Sequence, residues 1–321
     1  MELKQLERFL AVVDEGTIVS AARRLGLTQQ ALSASLSGLE KELDVRLFDR
    51  NPGGITRLTT YGDALVVHAR SQVAADRRAR DELKSLKHAE TGVVTIGIGE
   101  TFAGDIVAAA VTRLHQKNPG LRINVIEGYS ETILARLYSG EFDFVAAAVG
   151  GFGLKKGYAA DAIYAANDVV ACRAAHPLTQ KKKLRLADLN DHTWLVPYSR
   201  PSDVDVIVEA FLAAGLDSPR RFIGSDAFRI GMKLMAANDF LLMTSPALVT
   251  SRLAMETYAL RVLPLKQPTV LRNASLVTNQ QRPVTPAAQA LLDAIRVAAT
   301  EFAETGRAKL IKNRSAAPHS P

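Results

Sequence analysis

The hydrophobic period of this chain changes once, near His88-Ala89-Glu90-Thr91-Gly92, and that change constrains what can fold on either side. Before it, apolar residues recur every three or four positions; after it, short apolar runs alternate with helical stretches. A chain patterned this way needs two kinds of core, one made of helices and one built around a sheet. Its 321 residues are enough for both.

The first 60 residues read as short helices in quick succession. Leu3, Leu6, Phe9, Leu10 and Val13 form an amphipathic stripe that Gly16-Thr17 interrupts. A second helix over Val19 to Leu25 stops at Gly26, and Thr28 is the N-cap expected for a third. In that third helix Leu32, Leu36, Leu39 and Leu43 share one face, while Gln29, Ser33 and Ser37 stack on the other. Helix, tight turn, helix is the beginning of a helix-turn-helix. Two short extended runs then flank Asn51-Pro52-Gly53-Gly54, a small β-hairpin or wing with Arg50 and Arg57 on either side of its turn.

From Thr60 to Lys87 there is no proline and Gly62 is the only glycine. Leu65, Ala69, Gln72, Asp76, Ala79, Leu83 and Leu86 alternate four and three residues apart, a heptad seam with two polar interruptions. A continuous helix here would be about 40 Å long. Its other faces are charged, so pairing with a second copy is expected in preference to a spacer role. Beyond Gly92, strands at Val93–Ile98, Arg122–Ile126 and Phe142–Val149 enclose helices at Phe102–Gln116 and Glu131–Tyr138. That βαβαβ rhythm predicts a parallel sheet with helices on both faces. Further strands are expected at Asp168–Cys172, Trp194–Pro197, Arg221–Ile223, Phe240–Thr244, Leu260–Pro264 and Ala274–Thr278, then a helix over Pro286–Phe302. Residues 306–321, rich in Lys, Arg, Ser and Pro, read as a disordered tail.

Several function classes drop out. No apolar run approaches the roughly 20 residues of a membrane helix, and the N-terminus lacks a secretory pattern, so a cytoplasmic protein is expected. The single cysteine, Cys172, can supply neither an internal disulfide nor a thiolate cluster. Gly97-Ile98-Gly99 starts like a dinucleotide fingerprint, but Phe102 stands where the third glycine belongs. Walker, HExxH and GxSxG motifs are missing, so no catalytic residues, metal ligands or cofactor are assigned. The net charge of +7 does not locate a polyanion site, because residues 1–88 carry 14 Lys/Arg against 12 Asp/Glu.

Local pattern does locate one. The polar face of the third helix fits a DNA major groove, where a glutamine can grip adenine through two hydrogen bonds and Ser33 can donate or accept. Thr28 and the helix N-terminus suit a phosphate, and the wing arginines suit phosphates or a narrow minor groove. Thr28, Gln29, Gln30, Ser33, Arg50 and Arg57 are the candidate contacts to double-stranded DNA. Residue by residue, a merely solvated helix face would look similar; the whole constellation favours DNA.

Ala21-Ala22-Arg23-Arg24-Leu25-Gly26-Leu27-Thr28-Gln29-Gln30-Ala31-Leu32-Ser33, with Leu39-Glu40-Lys41-Glu42-Leu43, Leu47-Phe48-Asp49-Arg50 and Leu58-Thr59-Thr60-Tyr61-Gly62, resembles the signature of LysR-type transcriptional regulators. Gln30 stands where that family usually has proline, and Ala34-Ser35 replaces a basic-polar pair, so operator preference transfers less readily than DNA binding. The resemblance implies an α/β chain with an all-α-plus-wing N-terminal domain. It assigns a winged helix-turn-helix to residues 1–60, a linker and dimerisation helix to 61–90, and a two-subdomain, periplasmic-binding-protein-like effector domain to 91–305. Subdomain I would comprise about 93–166 and 268–303, and subdomain II about 167–267. A homodimer through the linker helix, a homotetramer, and a small-molecule effector in the cleft are further implications.

Thr101, Ser130, Ser199, Arg200 and Phe228 are the candidate effector contacts, on loops beyond strand ends. Each hydroxyl could equally cap a helix. Arg200 could clamp a carboxylate or phosphate, which makes an anionic effector one expectation, or lie solvated. Phe228 could form an apolar wall or pack in the core. The competing functional reading is a cytoplasmic solute-binding or enzymatic α/β protein whose N-terminal helices mediate protein contacts.

Overall fold

The computed structural model describes residues 1–49, 57–87, 92–102, 104–149 and 153–311, without the side chains of 78 and 81–87. The chain divides into two compact units, one of residues 1–89 with 138–141 and one of the remainder.

The first unit opens with α1 (Leu3–Glu15), α2 (Ile18–Leu25) and α3 (Gln29–Leu43). Thr17 caps α2 by accepting from Ser20 N, and Thr28 caps α3 by accepting from Ala31 N at 3.2 Å. Gly16 and Gly26 end α1 and α2 in the left-handed region, at φ 71° and 64°, which glycine adopts without a Cβ penalty. The apolar stripes meet in one core around Leu6, Phe9, Ala21, Leu32, Leu39 and Leu47. Strands β1 (Phe48–Asp49) and β2 (Arg57–Leu58) pair antiparallel, the base of the expected wing. Its tip and Arg50 lie outside the described residues.

Helix α4 (Thr60–Lys87) starts directly after β2. Thr59 Oγ1 donates to Arg46 O and accepts from Gly62 N at 3.1 Å. A Cβ on Gly62 would stand 2.2 Å from Leu47 O, so only glycine lets the helix approach this close. Leu65, Val66, Ala69 and Val73 pack on the helical core. The first two seam positions, Leu65 and Ala69, therefore serve their own domain, while Gln72 and Ala79 are exposed. The side chains of Leu83 and Leu86 lie outside those described.

The second unit contains two sheets. Strands β3 (Val93–Ile98), β4 (Arg122–Glu127), β5 (Phe144–Val149) and β6 (Tyr158–Asn167), with helices α5 (Asp105–Lys117) and α6 (Ser130–Tyr138), belong to the first. The chain then enters the second sheet through β7 (Val169–Arg173), β8 (Thr193–Val196), α7 (Ser202–Ala213), β9 (Phe222–Gly224), α8 (Phe228–Ala237), β10 (Phe240–Thr244), α9 (Pro246–Val249) and β11 (Leu260–Val262). It returns with β12 (Leu271–Asn279), α10 (Pro286–Phe302) and β13 (Lys309–Leu310). The strand orders are β13-β6-β12-β5-β3-β4 and β11-β7-β10-β8-β9.

Both faces of each sheet are covered, because successive strand residues point to opposite sides. Phe144 and Ala146 join the core under α5 and α10, whereas Val145 and Ala147 join the one under α6. In the second sheet Val170 and Cys172 pack with Phe211 of α7, and Ala171 packs with Met232 of α8.

Three expectations are corrected. The sheets are mixed, since β12 pairs antiparallel with β5 and β6, and β10 antiparallel with β7. The pattern to β5 is parallel, but the returning strand reverses direction. Strand β6 was not anticipated: Tyr158-Ala-Ala-Asp-Ala-Ile-Tyr-Ala-Ala-Asn is alanine-rich, and the sheet supplies the order that propensity does not. Residues 306–311, the start of the expected disordered tail, are instead placed in the fold, since Lys309 and Leu310 pair with Ala165 and Tyr164 at the edge of β6; the rest of that tail lies outside the described residues. Backbone hydrogen bonds to an open strand edge do not depend on the composition from which disorder was inferred.

Candidate functional site

Two surfaces carry recognition chemistry, one in each unit. On α3 the leucines are buried, Leu32 and Leu39 completely, and the polar side faces out. Thr28, Gln29, Gln30, Ala34 and Ser37 are exposed, and Ser33 is half-buried. The left-handed Gly26 and the Thr28 cap set the angle between α2 and α3, so the first turn of α3 presents its N–H groups and both glutamines together. Arg57 is exposed on β2. Glu40 braces the wing from α3, accepting from Leu47 N at 2.7 Å and Phe48 N at 3.3 Å. Behind the helix, Arg8 donates to Ser35 Oγ at 2.8 Å, which accounts for the serine next to Ala34.

In the second unit a cleft lies between the sheets, walled by Tyr129, Leu195, Phe228, Met232 and Leu248, with Glu100 and Arg200 among its polar lining. Its cavity is only about 30 Å³, against roughly 300–1,000 Å³ for sites that hold organic ligands. The cleft is drawn shut by charge. Arg200, just before α7, donates through Nη2 to Glu100 Oε1 at 2.7 Å and through Nη1 to Asp203 Oδ2 at 3.3 Å. Its Nε faces Glu131 Oε2 at 3.5 Å, and its guanidinium lies 5.2 Å from the Tyr129 ring centroid. Arg272 of β12 donates to Asp168 Oδ2 at 2.7 Å and Asp203 Oδ1 at 3.1 Å. Glu100, Glu131 and Arg272 come from the first sheet and its helices, Arg200 and Asp203 from the second, and Asp168 from the crossover between β6 and β7. The network therefore straddles the cleft.

Burial disfavours the Arg200 charge, but Glu100, Asp203 and Glu131 outweigh it and hold its pKa above the ordinary value. Arg272 is likewise raised against desolvation, chiefly by Asp168. For Asp168 burial wins over the pull of Arg272, and its carboxyl is pushed up to about 6. Burial, then Glu100, raises Tyr129 and Glu127. The cluster is short of positive charge: four carboxylates are met by two guanidiniums.

Of the sequence candidates, Arg200 and Phe228 line the cleft. Arg200 hydrogen-bonds to Glu100 and Asp203 through its terminal nitrogens, while its Nε faces Glu131 without a hydrogen bond. Thr101 and Ser130 are 1% and 5% exposed, and neither hydroxyl has a hydrogen-bond partner. Neither acts as a cap: α5 starts after Gly104, and Ser130 leaves its own oxygen free at the start of α6. Gly99 allows Ser130 in, since a Cβ there would stand 3.2 Å from its Oγ. Ser199 is instead tied to Asp226, which accepts from its N at 3.0 Å and its Oγ at 3.1 Å.

Asp168, Asp203, Glu131, Arg272 and Tyr129 were missed. Only Asp203, one helical turn from Arg200, had a local signal; the others converge through tertiary structure. Gly97 serves packing, because a Cβ there would meet Ile133 at 2.4 Å and Phe142 at 2.6 Å. Cys172 is wholly buried and its thiol is pushed up to about 11 by burial. His176 is buried too, accepting from Leu178 N and lowered in pKa by desolvation and then by His192.

A helix-turn-helix with an exposed polar recognition face, joined to two sheets around a cleft, defines a DNA-binding protein with a ligand-sensing domain. Residues 3–63 match the model of the bacterial regulatory helix-turn-helix protein, lysR family, and residues 87–299 match the LysR substrate binding domain. The chain belongs to the LysR family: it is a DNA-binding transcriptional regulator with an effector-binding domain.

The HTH-type transcriptional regulator GbpR of Azospirillum brasilense is 27% identical over 299 residues, covering 93% of this chain and 86% of that protein. The SDS degradation transcriptional activation protein of a Pseudomonas species is 28% identical over 295 residues, covering 90% and 94%. Among solved structures, the LysR family regulator CbnR superposes with a TM-score of 0.67 at 19% identity, over 93% of this chain and 99% of that one. Among the described residues no helix is long and apolar enough to cross a membrane.

Proposed function

We propose that α3 reads operator DNA through Gln29, Gln30 and Ser33 while Thr28, Arg57 and Arg50 grip phosphates, and that a small molecule in the inter-sheet cleft governs the response. One observation carries the DNA assignment: the leucines of α3 are sealed in the core while its opposite side offers hydrogen-bonding groups to solvent. Glutamine and serine there can reach base edges, and arginines on a wing neutralise the backbone.

The domain limits of this reading are 1–60 for DNA, 61–90 for the linker and 91–305 for the effector, with subdomains at 93–166 plus 268–303 and 167–267. Two copies pair through α4, and two such dimers form a tetramer, working in the cytoplasm without catalysis. Thr101 and Ser130, buried with unsatisfied hydroxyls, are contacts awaiting an effector; Phe228 packs on its apolar part, and Arg200 and Ser199 move as the cleft opens. An effector shifts the molecule only by binding the open and closed clefts unequally.

The test is a gel shift across a salt series with the DNA flanking this protein's own gene and with random duplex. Gln29→Ala or Ser33→Ala weakens binding to the flanking DNA by about 1–3 kcal/mol and binding to random duplex much less. Arg57→Ala weakens both and flattens the salt dependence. Equal losses on both duplexes for the α3 variants would remove their base-reading role.

A further inference from the structure

Arg200, the residue that favoured an anionic effector, already faces three protein carboxylates. Its two terminal nitrogens donate to Glu100 and Asp203, and its Nε side faces Glu131. A ligand carboxylate approaching it would meet four protein carboxylates of the same charge. More of the unfilled capacity is on the other sign: Glu100 Oε2, Glu131 Oε2 and Asp168 Oδ1 are buried without a hydrogen-bond partner, against Arg200 Nε alone among the guanidinium nitrogens. Glu100 is 6% exposed, lines the cavity and directs only one oxygen to Arg200; its Oε2 is buried with no hydrogen-bond partner. Four carboxylates share two guanidiniums, and Tyr129, whose ring already carries the Arg200 guanidinium, and Phe228 line the same space. A negative, partly desolvated pocket with aromatic walls attracts cations. Among the described residues no His/Cys/Asp/Glu group is arranged to hold a metal ion, and the surrounding Leu195, Met232 and Leu248 suit a carbon skeleton.

We infer that the effector of this regulator carries an ammonium group, which bonds to Glu100 Oε2 in the inter-sheet cleft while its carbon chain packs on Phe228 and Met232. The inference rests on the cleft's being the effector site. The ammonium supplies the missing positive charge and competes with Arg200 for Glu100. Binding thus loosens the Arg200–Glu100 contact between the β3 loop and the α7 loop, and an occupied cleft is an opened one. An amine-bearing ligand accordingly has a differential affinity for the two cleft states.

Thermal unfolding of the full-length protein tests this, using 1,4-diaminobutane and methylammonium as chlorides, sodium acetate as the anionic probe, and sodium chloride at matched ionic strength as the reference. The diamine raises the midpoint above the reference and methylammonium does so more weakly, while acetate does not. Glu100→Gln keeps the acceptor for Arg200 but removes the charge, and weakens the diamine effect by about tenfold or more, the loss of one charge-assisted hydrogen bond. Glu131→Gln, at a half-exposed position that tolerates change, weakens it less. A midpoint raised by acetate and not by the amines would overturn the amine inference while leaving the cleft as effector site. An amine effect unchanged in Glu100→Gln, or no amine effect at all, would overturn it as well. DNA binding in the gel shift is read separately and survives any of these results.

Discussion

Along α3, Thr28, Gln29 and Gln30 stand in water on a helix whose leucines fix it to the core; at the cleft, Glu100, Asp168, Asp203, Arg200 and Arg272 are nearly withdrawn from water and hold one another. On the proposed reading the first surface is preformed, since its polar groups are already exposed to solvent. The second is closed on itself, and a ligand must break contacts to enter. The difference matches two tasks. A reading head gains from being preformed, because ordering it on binding would cost affinity. A sensor gains from two states close in energy, and a charge network across a cleft supplies a closed state that a ligand can oppose.

The largest effect that would break this contrast comes from Arg272. Its guanidinium serves Asp168 and Asp203 together, so Arg272→Ala leaves buried Asp168 without its guanidinium partner and Asp203 with Arg200 alone. Removing one member of a buried ion pair costs about 3–5 kcal/mol. Chemical unfolding followed by circular dichroism should show a loss of that order, whereas Gln29→Ala, on the exposed surface, should leave the curve unmoved. Equal stability of Arg272→Ala and wild type would mean that the network is not what closes the cleft.

A subtler effect comes from Asp168. Burial raises its carboxyl from the ordinary 3.8 to about 6, so the folded protein holds this proton more tightly than the unfolded chain. The stability contribution is complete below pH 3.8 and declines as the pH rises towards 6, where the buried group ionises. Two pKa units correspond to about 3 kcal/mol at most. Asp168→Asn has no proton to lose, so the stability of wild type relative to this variant should fall between pH 4 and 6 and level off above it. Parallel pH profiles for the two proteins would show that Asp168 is ionised throughout.

The contrast also explains what could be read from the sequence. The reading head is local: Gly26, Thr28, the leucine spacing and the glutamines lie within about one helix of one another, so period and capping rules locate them. The alternation of strands and helices beyond Gly92 likewise gave two-faced sheets, because burial on both sides demands the apolar runs seen at Phe144–Val149 and Phe240–Thr244. The reversal at β12 and the edge pairing of β6 with β13 escaped, since neither strand direction nor an open edge leaves a mark on composition. The cleft was half legible. Loops beyond strand ends pointed to Thr101, Ser130 and Arg200, but the partners of Arg200 come from positions 100, 131 and 203, and only position 203 is near enough in sequence to be foreseen. Arg272 and Asp168, brought in by the two crossovers, had no local sign.

The smallest effect belongs to Thr28, and it separates two roles that coincide in one hydroxyl. That oxygen accepts from Ala31 N, and the side chain is exposed where a phosphate would approach the helix start. Thr28→Ala should cost about 1 kcal/mol of stability through the lost cap, measured as a shift in unfolding midpoint, and should also weaken DNA binding. Thr28→Ser keeps an oxygen in the same place and should restore both. If the serine variant regains stability but not affinity, the methyl group of Thr28 contributes to the DNA contact itself. If it regains both, the hydroxyl alone accounts for cap and contact, and the start of α3 depends on one atom for its folding and its function.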